Sequence, residues 1–475
     1  MYKKRDRNQM YLKGFHMPFG GKLKADNRWV KLAEMLPWDF IEDIYAESMS
    51  GENGAGAISA RIAFGSLYIK ENENLSDERT LEHIAENPYM QCFLGLEEFR
   101  AEPLFDASMM VHFRKRFPAE KVEEINKRIF IKKDEPGNVG PDSGSQGGTP
   151  PEEARNNGKL VLDATCAPSD IRYPSDLSLL NEARENTEEM IDELWERSQR
   201  QGRKTGYSRK KARGQYLSIA KQKRPKAAKT RQAIKRQLSY VKSNIDAIGN
   251  LLMEIGPDAP PEKRLARLLT VCALYRQQKG MLDNRTHTCE ERIVSLRQPH
   301  VRPIVRGKSG KRFEFGQKLA LSVVNGLTFI ERQSFDNFNE GVTLRESVER
   351  YRATYGCYPE AVQADQIYRN RDNLAYCKER GIRLSGPRLG RPGKGAESDR
   401  ELEYRDRCER NIIEGRNGMA KRRFGLDLIM AYREDTAQTE AAFQVLCMNL
   451  FLSALFRFLL FWRVWLIRRT DTTMA

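Results

Sequence analysis

Asp163 and Asp365 each close a short apolar run, in KLVLDATCAPSD and EAVQADQIYRNRDN, while Glu414 lies in RNIIEGRNGMAKRRFGL. Acids placed so would be delivered by strands to the working edge of a sheet. The third belongs to the spacing Arg410-x3-Glu414-x6-Lys421, and at about 100° per residue these positions stay within roughly 40° of one another around a helix. One helical face therefore presents an acid flanked by cations. Carboxylates gathered from distant segments are the usual ligands of Mg²⁺ in phosphoryl transfer, where metal ions activate an attacking oxygen and neutralise a leaving one. Each acid also has a simpler reading. Asp163 and Asp365 could cap turns, and Glu414 could form an exposed i, i+4 pair with Arg410.

The segments that must position these acids alternate in character. From Gly158 to Pro174 the chain reads as two short strands joined by a turn. KRFEFGQKLALSVVNGLTFIERQSF reads as strands with a hairpin at Asn325-Gly326, and TLRESVERYRATYG as a helix before the Asp365 strand. Strands in hairpins followed by strand-helix alternation imply an α/β fold, a mixed sheet with flanking helices. Between the aspartates, Asp176 to Arg297 carries amphipathic helical patterns and is expected to be a helical insertion.

Residues 1–131 are expected to form a helical N-terminal domain, with Ser76 and Asp77 starting one helix and Asn87-Pro88 stopping it. Residues 132–158 are crowded with Gly, Pro, Ser and Asn and read as a flexible linker. A domain over 159–467, carrying the insertion at about 176–297, and a tail of 468–475 complete the expected organisation.

The formal charge is +16 with 31% of the 475 residues charged, which favours a polyanionic partner such as nucleic acid. Arg197 to Lys242 holds 17 Lys or Arg and no Asp or Glu. Tyr207, Tyr216, Ile219, Ile234, Leu238 and Tyr240 give it helical apolar spacing, so it reads as a folded basic face. Arg209, Lys210, Lys211, Lys223, Arg224, Lys235 and Arg236 are its candidate DNA contacts. Phosphate neutralisation there would give affinity without sequence preference.

Eight cysteines form no CxxC pair, and His287-x-Cys289 has no second ligand pair at zinc-finger spacing; free thiols in a reducing compartment are expected. MYKKRDRNQMYLKGF lacks the apolar core of a secretory signal, so a cytoplasmic, nucleoid-associated location is expected. Ala441 to Ile467 is apolar enough for a membrane span, but Arg457 and Arg463 interrupt it, and a buried core helix is the expectation.

Together these segments resemble the DDE transposases of bacterial insertion sequences. Leu81 to Phe117 is similar to their N-terminal domain. KLVLDAT, FEFGQKLALS, EAVQADQIYRNRDN and RNIIEGRNGMAKRRFGL are similar to blocks of their catalytic domain. The family's third block reads Tyr-x2-Arg-x3-Glu-x6-Lys; Arg410, Glu414 and Lys421 match it, Arg407 stands at the Tyr position, and Tyr404 lies one turn earlier.

The resemblance implies a ribonuclease-H-like catalytic domain in which Asp163, Asp365 and Glu414 hold two Mg²⁺ ions, with Mn²⁺ able to substitute. Arg410 and Lys421 would be auxiliary residues steadying phosphates or orienting Glu414. It also implies binding of double-stranded DNA at inverted-repeat ends and at a target, cleavage and strand transfer, and a homodimer or larger synaptic complex. A ribonuclease-H-like nuclease without strand transfer, and a non-catalytic DNA-binding regulator derived from a transposase, stay open as alternatives.

Overall fold

Six strands occur among the described residues of the computed structural model: β1 (Lys159–Pro168), β2 (Arg302–Lys308), β3 (Lys311–Val324), β4 (Leu327–Ser334), β5 (Ala361–Gln363) and β6 (Arg383–Leu384). The structure describes residues 16–17, 21–49, 56–131, 155–198, 209–255, 260–308, 311–386 and 400–471. Most of the expected linker, from 132 to 154, lies outside them, as do Tyr207 and residues 472–475 of the expected tail; Arg457 and Arg463 are described in backbone only.

The chain divides into two compact units. Met1–Pro168, Lys318–Ser334 and Phe338–Ala475 supply the first; Ser169–Gln317 and Phe335–Asn337 supply the second. In the first unit the strand order is β4-β3-β1-β5-β6. β3 and β4 pair antiparallel, Lys318 opposite Ser334 and Val324 opposite Leu327. Asn325 and Gly326 join them, both at positive φ (51° and 82°). A two-residue hairpin loop needs that backbone, which Asn and Gly tolerate at little cost, so this pair sets the register.

On the other side β1, β5 and β6 run parallel, with Val161 opposite Gln363 and Val362 opposite Leu384. The sheet is therefore mixed. The two short strands expected between Gly158 and Pro174 are instead one ten-residue strand, with Asp163 inside it. β1 is buried on both faces over most of its length and loses polar alternation, so a mid-strand carboxylate imitates a break in the pattern.

Fifteen helices accompany the strands among the described residues. The first seven are α1 (Arg28–Met35), α2 (Trp38–Glu47), α3 (Ala60–Glu73), α4 (Asp77–Glu86), α5 (Pro88–Phe93), α6 (Met109–Arg116) and α7 (Ala119–Phe130). Ser76 caps α4 by accepting from the Arg79 N–H. Asn87 ends that helix and caps α5, which starts on Pro88, where a missing N–H costs nothing.

The second unit holds α8 (Asp176–Arg197), α9 (Arg209–Ala220), α10 (Ala227–Ile255) and α11 (Glu262–Asp283). Ser175 and Ser178 form a capping box at the start of α8. Leu180, Ala183, Val241, Val271 and Leu274 form the main core joining α8, α10 and α11. β2 pairs antiparallel with the first part of β3, Arg302 opposite Gly316.

α12 (Leu344–Tyr355), α13 (Arg371–Glu379), α14 (Arg400–Phe424) and α15 (Glu434–Asp471) return to the first unit. α12 stops at Gly356, whose φ of 75° is the left-handed cap expected of a terminal glycine. Leu344, Val348 and Tyr351 of α12 pack on Leu160, Leu162 and Val362 of the sheet. α15 packs on α3, α6, α7 and β4. Its Phe443 ring meets Phe64 of α3 at 5.1 Å between centroids, and Ala441, Val445 and Leu446 are fully buried. Among the described residues no helix is long and apolar enough to cross a membrane. The charges buried here are paired: Lys70 meets Glu71 at 2.6 Å and Glu440 at 3.9 Å, and Glu440 also accepts from the backbone N–H groups of Met430 and Ala431. Burying charge is tolerable only with such partners.

Candidate active site

β1 and β5 are neighbours in parallel register, and Val161 faces Gln363 across the ladder. Asp163 and Asp365 each stand two residues beyond that pair. Parallel strands are about 4.8 Å apart and side chains alternate, so equal steps along both strands bring the two acids to one face at one edge. Asp163 is half-buried, whereas the Asp365 side chain is 60% exposed and opens a short 3-10 turn, Gln366–Tyr368.

α14 lies across the same face and is fastened there by polar contacts. Lys159 of β1 meets Glu409 at 2.7 Å. The fully buried Gln363 of β5 donates from Nε2 to Asp406 Oδ1 at 3.1 Å and also to Glu409. Arg383 of β6 grips both Asp406 oxygens, with Nη2 to Oδ1 at 2.9 Å. The carboxyl of Glu409 is held below the usual range by the hydrogen bonds from Lys159 and Gln363.

One turn further, the helix reaches the aspartates. Arg410 Nη1 lies 3.5 Å from Asp365 Oδ1 and its Nη2 lies 3.9 Å from Glu414 Oε1, so one guanidinium sits between the second and third acids. Asn417, one turn beyond Glu414, donates to Asp163 Oδ2 at 3.2 Å. The first acid is thereby tied to the helix that carries the third. Lys421 is half-buried on the same helix.

The carboxyl of Asp163 is pushed up to about 6. Burial is the main cause, the Ala164 N–H opposes it, and Glu340 and Asp365 raise it further while Arg410 lowers it. An acid in that position gains from a cation arriving beside it.

Among the described residues no three His, Cys, Asp or Glu side chains stand close enough to form a ready-made metal cage. The expected triad is thus not preassembled as three converging ligands. The positive charge nearest to both Asp365 and Glu414 in these contacts is the Arg410 guanidinium. The donor set nevertheless suits a hard divalent ion, which takes carboxylate oxygens.

The candidate DNA contacts divide. Lys210, Lys211, Lys223, Arg224, Lys235 and Arg236 are exposed on α9, α10 and the turn between them. Arg209 also has a role within the fold: its Nη2 pairs with Asp192 Oδ2 at 2.6 Å and donates to the Glu188 carbonyl, fastening α9 to α8, while its side chain stays 40% exposed. Sequence reasoning did not single out Gln363, Asp406, Glu409 or Asn417. Asn417 had a usable signal, since i, i+3 spacing from Glu414 keeps it near the same helical face.

Comparison with known proteins finds two transposase families. Residues 362–451, which span β5, α13, α14 and the start of α15, match the family described as Transposase DDE domain, and residues 18–116 match the Transposase domain (DUF772). The chain is 31% identical over 150 residues to the uncharacterized protein ORF8 in the nfe locus of Rhizobium meliloti. That match covers 32% of this chain and 66% of the relative, just short of two thirds of its length. No solved structure matches. The class is that of the transposases. Within it, the two matches support a DDE transposase of insertion sequences.

Proposed function

We propose that this transposase binds the terminal inverted repeats of its own insertion sequence and catalyses Mg²⁺-dependent cleavage and strand transfer on a ribonuclease-H-like catalytic unit. The observation that carries the reading is the parallel register of β1 and β5, which sets Asp163 in one strand and Asp365 just past the end of the other at equal steps beyond the Val161–Gln363 pair, with Arg410 and Glu414 on the helix fastened across them. A strand order in which a hairpin flanks the Asp163 strand on one side and parallel strands flank it on the other supports the fold assignment.

Asp163, Asp365 and Glu414 would hold two Mg²⁺ ions, with Mn²⁺ able to replace them. Bound there, the metals supply activation of the attacking water or 3′ hydroxyl and stabilisation of the departing oxygen, in an in-line displacement. The chain's own residues do the positioning. Asn417 orients Asp163, and the contacts of Asp406 and Glu409 hold α14 against the sheet, so that a turn of the Glu414 side chain would bring it towards the two aspartates. Arg410 neutralises Asp365 and Glu414 before DNA arrives and is placed to take a backbone phosphate afterwards. Lys421 would serve a second phosphate. The exposed cations of α9 and α10 would hold double-stranded flanking or target DNA through its phosphates, without sequence preference. The N-terminal helical region would read the repeats. Joining two ends in one event requires a dimer or a larger synaptic complex.

The test uses the full-length protein, pre-cleaved terminal repeats, a supercoiled plasmid and Mg²⁺. Joined products are expected, and Asp365→Asn should retain end binding in a gel shift while losing both cleavage and joining. Nicked plasmid without joined product would identify a nuclease instead. Full activity of Asp365→Asn would remove the catalytic assignment.

A further inference from the structure

The ribbon formed by β2 and the first part of β3 carries an apolar strip on its open face. In the ladder Pro303 stands opposite Phe315 and Val305 opposite Phe313. Opposed residues of an antiparallel pair project to the same side, and so do positions two apart along a strand, which puts all four on one face. Val305 is 57% and Phe313 42% exposed, whereas Ile304, on the other face, is 2% exposed. Beside the strip Tyr173, 74% exposed, meets Phe315 edge-on with ring centroids 5.6 Å apart. The back of the ribbon is therefore anchored and its front is apolar and open.

The same strands are cationic. From Arg302 to Phe313 the sequence holds Arg302, Arg306, Lys308, Lys311 and Arg312 and no Asp or Glu. Lys308 and Lys311 are backbone partners at the far end of the pairing, and Glu314, opposite Ile304, belongs to the back face. A second copy of the chain meeting this strip across a two-fold axis would set these cations against their own kind, which is unfavourable. A polyanion has the complementary charge. A two-stranded ribbon fits the major groove of B-DNA, about 12 Å wide, and not the minor groove of about 6 Å. Cations on the strands then neutralise phosphates along the groove, while the apolar front meets a floor on which thymine presents a methyl group.

We propose that the β2–β3 ribbon is a second DNA-contact element of this transposase, lying in the major groove of duplex DNA with Val305 and Phe313 against thymine methyl groups. The proposal rests on the reading of DNA as the partner. It goes beyond that reading, because the cations of α9 and α10 give affinity without base preference.

The probes are a fluorescent duplex rich in A·T pairs and the same duplex with deoxyuridine for thymidine, which removes only the methyl groups. Binding to the full-length protein is read by fluorescence anisotropy over a range of salt. The parent should prefer the thymine duplex by at least about threefold, the effect of one or more buried methyl groups. Val305→Ala with Phe313→Ala should lose that preference and bind the thymine duplex about tenfold more weakly, at an unchanged salt slope. Lys311→Gln with Arg312→Gln should keep the preference and lower the slope of log affinity against log salt by up to ~1.8. If replacing Lys223, Arg224, Lys235 and Arg236 by Ala weakens binding while both ribbon variants stay within about twofold of the parent, the ribbon proposal is overturned and DNA remains the partner. If the parent binds neither duplex, the reading of DNA as the partner fails. Ribbon variants that keep DNA affinity but dissociate in sedimentation would make the strip a contact between copies, which also overturns the proposal. Should the alanine variant not fold, equal binding of the two duplexes by the parent overturns it alone.

Discussion

Replacing Asp406 by Ala removes the fastening of α14 without touching any of the three acids. Asp406 is 6% exposed and is gripped by Arg383, whose side chain is 36% exposed, and by Gln363, which is fully buried. Breaking a fully buried ion pair costs about 3–5 kcal/mol, mostly from the orphaned partner charge. Water reaches Arg383, so roughly half of that is recovered. Gln363 keeps Glu409 as an acceptor and adds little. The expected cost is about 2 kcal/mol, which at about 2 °C per kcal/mol for a large unit lowers the melting temperature by ~4 °C.

Differential scanning calorimetry on the full-length protein measures this directly. Because the penalty lies in the stranded guanidinium, adding Arg383→Met to Asp406→Ala should restore about 1 kcal/mol rather than cost more. A single variant melting within ~1 °C of the parent, or a double variant lower than the single by the full cost of losing Arg383, would refute the clamp as described.

Further outcomes follow from other buried groups and from the basic helices. Glu123 of α7 is buried and its carboxyl is pushed up to about 8 from 4.5, chiefly by desolvation. The folded state therefore holds a proton that the unfolded chain releases near 4.5, so this contribution is full below that pH and drains away as pH rises towards about 8. Glu123→Gln should raise stability at pH 8 by at least about 1 kcal/mol and flatten that part of the profile; urea melts at pH 5 and pH 8 check it, and an unchanged slope would contradict it. Asn449 of α15 accepts from the Thr328 N–H at 2.9 Å and donates to the Thr328 carbonyl and to Asn126 Oδ1. Asn449→Ala leaves these buried groups unmatched and should cost about 3 kcal/mol in denaturant unfolding. Replacing Lys223, Arg224, Lys235 and Arg236 together by Ala should lower the slope of log affinity against log salt by up to ~3.6 for duplex DNA of any sequence, with melting temperature unchanged. An unaltered slope would place the phosphate contacts elsewhere.

The sequence was most legible where local chemistry decides the backbone. Asn325-Gly326 announced its hairpin, Ser76 and Asn87 marked the ends of α4, and the Arg410-to-Lys421 spacing sits on one helix. It was least legible where partners are distant in sequence. Asp406 and Glu409 lie in ELEYRDRCER, whose dense charges imitate a solvated face, and only the fold brings Gln363, Lys159 and Arg383 to them. Glu340 lies in a polar stretch, FDNFNEGVT, that resembles an ordinary loop until Asn373 is seen joining it to the Asp365 turn. Arg209 looked like one cation among many because its acceptors are 17 and 21 residues earlier on α8. Asp163 was located as a strand residue, but its place within one long strand was obscured by the burial of both faces.

The central claim is that Asp163, Asp365 and Glu414 serve a common divalent cation once Arg410 gives way. It is tested most directly by anomalous scattering from Mn²⁺ in crystals of the protein bound to a terminal-repeat DNA end. An anomalous peak is expected within about 2.5 Å of carboxylate oxygens from both Asp163 and Asp365, with Glu414 turned towards it. Mn²⁺ peaks only at other positions, with Arg410 still lodged between Asp365 and Glu414 in the DNA complex, would contradict it.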